Sequence, residues 1–112
     1  MKVLLVNGSP HKEGCTYTAL KEVEKELINS GVETEMIWLG VKPVSGCLGC
    51  AQCIKKGPNG EKPTLRCVIN DGVNEFLDKA EKADGFVFGS PVHYAAISGA
   101  LSSFMDRAFY GK

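Results

Sequence analysis

The sequence lacks most of the features that mark a specialised chain. No charge of one sign dominates: 13 Lys and Arg stand against 13 Asp and Glu in 112 residues, which removes the electrostatic footprint of a nucleic-acid binder. Long apolar runs are missing too. Val3-Leu4-Leu5-Val6 behind Met1-Lys2 falls far short of the roughly 20 residues of a membrane span and is too brief for a signal-peptide core. Glycine has no three-residue period, the apolar content is ordinary, and there is no internal repeat or low-complexity tract, which argues against disorder, collagen-like repeats and coiled coil. What is present is an ordinary 44% of hydrophobic residues, enough for one small globular domain that buries roughly two-thirds of its unfolded surface. The expected compartment is the cytoplasm. Thiols stay reduced there, so the five cysteines suggest chemistry or metal before disulfides.

Punctuation and periodicity predict the elements. Val3-Leu4-Leu5-Val6, stopped by Asn7-Gly8-Ser9-Pro10, reads as a buried parallel strand. A helix is predicted over residues 16–29, with Leu20, Val23 and Leu27 on one face and Ser30-Gly31 at its end. Residues 32–39 alternate, with Glu33 and Glu35 opposite Thr34, Met36 and Trp38, as an edge strand does. Residues 40–70 hold neither period and form a long loop, of the kind that is usually functional. Asp71 then reads as the N-cap of a helix with Val73, Phe76, Leu77, Ala80 and Ala83 inward. Phe86-Val87-Phe88 is a short apolar strand, and Ile97, Leu101, Phe104, Met105 and Ala108 define a last helix. Strands alternating with helices predict an α/β fold with a doubly wound parallel sheet. Ligands in such sheets sit beyond the carboxyl ends of the strands, which singles out residues 8–15, 40–70 and 90–99.

The first of these loops leaves a buried strand and enters a helix through Ser9, Gly14, Thr16 and Thr18, a ready anion site for a phosphate. Cys15 stands where a Walker loop needs Lys, and Pro10 where a G-x-G-x-x-G loop needs its second glycine; the bland reading is that Ser9 and Thr16 merely cap a turn and a helix. In the third loop Pro91 fixes the backbone, Val92, His93 and Tyr94 offer amides to the polar edge of a planar ligand, and Tyr94 offers a stacking face. A phosphate cradle beside a rigid aromatic loop describes a mononucleotide site, against the plain reading of Tyr94 and His93 as solvated surface. The middle loop carries Cys47, Cys50 and Cys53, each separated by two residues, with Cys67 separated from Cys53 by thirteen. That spacing ligates iron–sulfur clusters, serves zinc, or leaves metal-free thiols. Lys42, Lys55, Lys56, Lys62 and Arg66 against Glu61 make this loop basic in a neutral chain, suited to an anionic cluster, to nucleotide phosphates, or simply to solvent. No coherent catalytic triad is present.

Gly8-Ser9-Pro10 with Gly14 and Thr16, the Cys47-x-Gly49-Cys50-x-x-Cys53 cluster, and Phe88-Gly89-Ser90-Pro91-Val92-x-Tyr94 followed by Phe104-Met105-Asp106-Arg107 together resemble the flavodoxin-like NADPH-dependent FMN reductase family, and within it the iron–sulfur flavoproteins. The resemblance spans essentially the whole chain. It implies that Ser9, Cys15, Thr16 and Thr18 bind the FMN phosphate, that His11 is among the cofactor-binding residues, and that Pro91, Val92, His93, Tyr94 and Gly99 line the flavin. It also supports a four-iron cluster on Cys47, Cys50, Cys53 and Cys67, although the fourth cysteine follows more closely in that branch. The implied activity is electron transfer from NAD(P)H or a reduced redox protein to flavin, and on to a quinone or other small acceptor, in a homo-oligomer without nucleic-acid or membrane partners. A non-enzymatic flavodoxin-like carrier and a metal-stabilised module without flavin are the alternatives. Relatives order five strands 2-1-3-4-5, whereas this chain supplies three, ordered 2-1-3, and stops at Tyr110-Gly111-Lys112 before strand 4. It is therefore expected to be the amino-terminal portion of such a domain, with weaker FMN affinity and with Phe86-Val87-Phe88 as an apolar edge that seeks another chain.

Overall fold

The computed structural model describes residues 1–40 and 44–109. Lys42 and the terminal Tyr110-Gly111-Lys112 lie outside the described residues. Three parallel strands, β1 (Lys2–Asn7), β2 (Glu33–Trp38) and β3 (Gly85–Gly89), are ordered β2-β1-β3, as the sequence predicts. Between and after them run α1 (Cys15–Asn29), α2 (Val73–Ala80) and α3 (Gly99–Phe109). The central position of β1 explains its composition: with a strand on either side and helices on both faces, Leu4, Leu5 and Val6 are wholly buried, and alternation along the strand leaves no face for a polar side chain.

Leu4 and Val6 point toward α2 and α3, where Val73, Phe76, Leu77, Leu101, Phe104 and Ala108 complete the main core. Phe76 and Phe104 meet edge to face, with ring centroids 4.7 Å apart, the geometry favoured by the ring quadrupoles. The opposite face of the sheet is covered by α1, which packs on all three strands. Leu20 of α1 lies so close to β3 that a Cβ at Gly89 would stand 2.8 Å from its Cδ1. Gly8 plays the same part on the other face, where a Cβ would come within 2.8 Å of Leu101 Cβ. Both glycines are therefore close-approach positions that draw helices onto the ends of the strands.

The sequence reading needs correction at several points. Asp71 does not cap α2: Gly72, at φ +98°, holds the N-cap position without a side-chain bond, and the Asp71 carboxylate turns to Arg107 instead. Ala83 lies beyond α2, which ends at Ala80, yet still packs against the core. Ile97 is not helical. It belongs to a two-stranded hairpin of β4 (Val92–His93) and β5 (Ala96–Ile97), and the last helix starts only after Ser98, whose Oγ accepts the Leu101 N–H at 3.2 Å. The outer edge of β3 is bare among the described residues. Phe86 there is 38% exposed, and Phe109 lies against it and against Phe88.

Candidate functional site

The parallel register sets Asn7 beside Trp38 on one side and Gly89 on the other, so the three carboxyl ends finish level. The first and third loops leave β1 and β3 just beyond that line. Asn7, fully buried, organises the first loop: its Oδ1 accepts the Ser9 N–H at 3.0 Å and its Nδ2 donates to the Lys12 carbonyl at 3.1 Å, an Asx turn followed by a brace. Ser9 is buried and its Oγ accepts the His11 N–H at 3.1 Å. Trp38 reaches across from β2 to donate its ring N–H to the Ser9 carbonyl at 2.9 Å. The loop is thus fixed from both its own strand and the neighbouring one.

That loop delivers the chain into α1 through Gly14, whose N-cap position makes no side-chain bond, and no acidic residue sits in the first turn. The leading amides of the helix are left for an anion, with the positive end of the helix dipole behind them. Cys15 is exposed and Thr16 half-buried at this end. Thr18 contributes less than its spacing implies, because its hydroxyl donates back to the Gly14 carbonyl at 3.1 Å. His11 is exposed at the mouth of the loop.

The third loop stands beside the first because the two are stapled together. Gly8 N–H donates to the Gly89 carbonyl at 2.8 Å, and the buried Ser98 hydroxyl donates to the Gly8 carbonyl at 2.7 Å. Ser90 Oγ closes the base of the loop, donating to the Pro91 carbonyl and accepting the Ser98 N–H, each at 2.8 Å. Above this base Val92, His93, Tyr94 and Ala95 project into solvent. Tyr94 and Ala95 form the two-residue turn of the hairpin with φ of +49° and +61°, a conformation normally given to Asn and Gly. Non-glycine residues held there carry strain that the surroundings must hold in place. The result is a fully exposed Tyr94 ring on a rigid stem. Gly99 is exposed at the first turn of α3.

The cysteine loop is organised differently. Leu65 N–H donates to the Cys53 carbonyl at 2.9 Å, so the intervening residues make an excursion that returns to its starting point. The thirteen intervening residues are thereby folded back, and Cys47, Cys50, Cys53 and Cys67 all line one cavity with Leu48, Leu65, Val68 and Ile69. The one charged side chain in its wall is Arg107. Among the described residues no three Cys, His, Asp or Glu side chains close on a single metal-ion point: the thiols surround a space and do not converge. Cys67 is half-buried and Cys47 and Cys50 are exposed. Arg66 is not free to serve an anion, being paired with Asp78 at 3.0 Å and Glu81 at 2.6 Å. Lys55, Lys56 and Lys62 remain exposed.

The sequence profile described as NADPH-dependent FMN reductase matches residues 1–112. The chain belongs to that family, one of flavin oxidoreductases. Within it, the chain is 38% identical over 108 residues to an iron-sulfur flavoprotein of Methanocaldococcus jannaschii, covering 96% of this chain and 52% of that protein. It is 34% identical over 107 residues to an iron-sulfur flavoprotein of Archaeoglobus fulgidus, covering 96% and 45%. The fold is shared with the crystal structure of Smu.1420 from Streptococcus mutans UA159, at a TM-score of 0.67 and 21% identity over 97% of this chain and 53% of that one. The family assignment accounts for the flavodoxin-like strand order, and the chain spans about half the length of the curated relatives it matches.

Proposed function

We propose that residues 1–112 form one flavodoxin-like unit, the FMN-holding portion of an oxidoreductase, with a four-iron cluster site in its cysteine-rich loop at residues 40–70. Electrons enter from NAD(P)H or a reduced redox protein and leave to a quinone or other small acceptor. The observation that carries this reading is the staple of Ser98 to Gly8 and of Gly8 to Gly89, which sets an uncapped helix N-terminus beside a rigid aromatic hairpin. A phosphate at one end and a planar ring at the other is the shape of a mononucleotide.

The leading amides of α1, with Ser9, His11, Cys15 and Thr16 around them, receive the phosphate. Thr18 lies one turn deeper and supports that end of the helix. Pro91, Val92, His93, Tyr94 and Gly99 line the ring, with Tyr94 as the stacking face. Bound FMN supplies the acceptance of hydride and its release as single electrons; the chain supplies orientation and electrostatics, and no side-chain nucleophile or base is required. Cys47, Cys50, Cys53 and Cys67 hold the cluster. Their arrangement around an apolar-walled space suits a polynuclear group gripped at its corners better than one tetrahedral zinc ion.

The fitting partners are a small acceptor or a redox protein, and a second copy of the chain. Five unpaired thiols suit a reducing cytoplasm, and no helix among the described residues is long and apolar enough to cross a membrane. The test is an anaerobic titration of FMN-loaded protein with NADPH, NADH and reduced ferredoxin, alongside iron and zinc analysis. Bleaching of the flavin absorbance is expected with at least one donor; none with any of the three overturns the proposal. Bleaching by ferredoxin alone, without NAD(P)H oxidation, favours a flavodoxin-like carrier.

A further inference from the structure

Asp106-Arg107 closes one of the motifs in the sequence, yet the flavin site makes no use of it. Arg107 lies on α3 with a side chain only 1% exposed, and it grips the cysteine loop at both ends. One terminal nitrogen donates to Asp71 Oδ2 at 2.5 Å and to the Ser45 carbonyl at 3.3 Å, the other to Asp71 Oδ1 at 2.6 Å and to the Ile69 carbonyl at 3.3 Å. The remaining N–H, at Nε, points at Cys67 Sγ, 3.4 Å away. The planar fork of a guanidinium allows this; a lysine ammonium cannot serve partners on so many sides at once.

Cys67 differs from the other three cysteines in how firmly it is held. Asn74 clasps its backbone, accepting the Cys67 N–H and donating to the Cys67 carbonyl, both at 2.8 Å. Its sulfur accepts the Ile69 N–H at 3.5 Å as well as the Arg107 Nε–H. Cys47 Sγ accepts one N–H, that of Gly49 two residues on, at 3.3 Å. Asp71 balances the charge of Arg107, so what reaches the sulfur is chiefly an oriented N–H dipole. Donors of that kind set the reduction potential of a thiolate-bound cluster, because they stabilise the more negative, reduced state.

The geometry points to Arg107 as a positioning residue that acts through Cys67: it fixes that sulfur in the cavity wall and, by donating to it, raises the potential of the cluster bound there. The second half rests on the cluster reading above; the first does not.

Two measurements on Arg107→Lys and Arg107→Met, with Asn74→Ala as a control, separate the halves. In metal-free, reduced protein, iodoacetamide labelling of Cys67 relative to Cys50 is read by peptide mass spectrometry. The ratio rises on the order of tenfold in Arg107→Lys as the sulfur loses its hold; an unchanged ratio overturns the positioning role. In protein loaded anaerobically with iron and sulfide, the cluster midpoint potential falls from wild type to Arg107→Lys to Arg107→Met. Asn74→Ala lowers iron content but leaves the potential of the retained cluster near wild type. If both Arg107 variants keep the wild-type potential, Arg107 is a structural strut and the tuning role is overturned. If wild-type protein takes up no iron, the cluster reading and the tuning role fall together, and labelling alone decides the positioning role. Arg107→Lys serves for both measurements should Arg107→Met fail to fold.

Discussion

The two flavin-type loops and the cysteine loop all gather at the same end of the sheet, but they are held by different physics. The flavin-type loops leave the ends of β1 and β3, and their frame is a set of short neutral hydrogen bonds among Asn7, Gly8, Gly89, Ser90 and Ser98. The cysteine loop leaves the end of β2 and returns to α2, so a strand end defines only its departing side. Its ends are gathered by one buried cation on α3 and one aspartate. A frame of many weak bonds degrades gradually, whereas a frame centred on one buried ion pair, with Asn74 and Arg66 bracing only its returning side, depends most on both partners of that pair.

Asp71→Ala breaks this contrast most sharply. It leaves a buried guanidinium without its counter-charge, a loss on the order of 3 kcal/mol, read as a lower urea midpoint together with protease cleavage within residues 45–70. The same pair has a pH signature. Hydrogen bonding to Arg107 holds the Asp71 carboxyl below the usual aspartate range, so its contribution is complete above the ordinary aspartate pKa and is lost as pH falls through the lowered value. Thermal unfolding of wild type therefore loses more stability toward low pH than that of Asp71→Asn.

Gly8→Ala comes next. The added Cβ meets Leu101 Cβ and the Gly89 carbonyl, neither of them a flexible end, and costs about 2 kcal/mol by overpacking; FMN retention on gel filtration falls with it. Ser98→Ala removes both the helix cap and the bond to Gly8, about 1–2 kcal/mol, and only weakens FMN binding, because the Gly8 to Gly89 bond survives. The smallest effect has the opposite sign: Tyr94→Gly relieves a positive φ and raises stability by about 1 kcal/mol while reducing FMN affinity. If Tyr94→Gly instead leaves FMN affinity unchanged, the hairpin is only a turn.

The parts visible in the sequence were those governed by neighbours. Val3-Leu4-Leu5-Val6 can only be a buried strand, and Asn7-Gly8-Ser9 is turn chemistry in any context. The misreadings have separate causes, one distant and the others local. Asp71-Gly72 looks like a cap, but the chief partner of that carboxylate is a guanidinium 36 residues away. The hairpin had no signal, since Tyr94-Ala95 is an unsuitable pair for a turn with two positive φ angles. The false helical reading of Ile97 followed periodicity backward past Ser98, a cap that its type and position could have revealed. Asn7 was read as punctuation, and its bracing role needed Lys12 in view.

The bond from Leu65 to Cys53 has one further consequence. Because the excursion between them closes on itself, the separation of Cys53 from Cys67 in space is set by the clamp and hardly at all by the number of residues between. Doubling the length of a flexible loop costs only about 0.6 kcal/mol, so the exposed tip at Pro58, Asn59 and Gly60 is a natural port for insertion. Peptide tags or spectroscopic reporters placed there would sit close to the cysteine cavity without altering its walls, and cysteine spacing along such a chain is a poor ruler for which thiols meet.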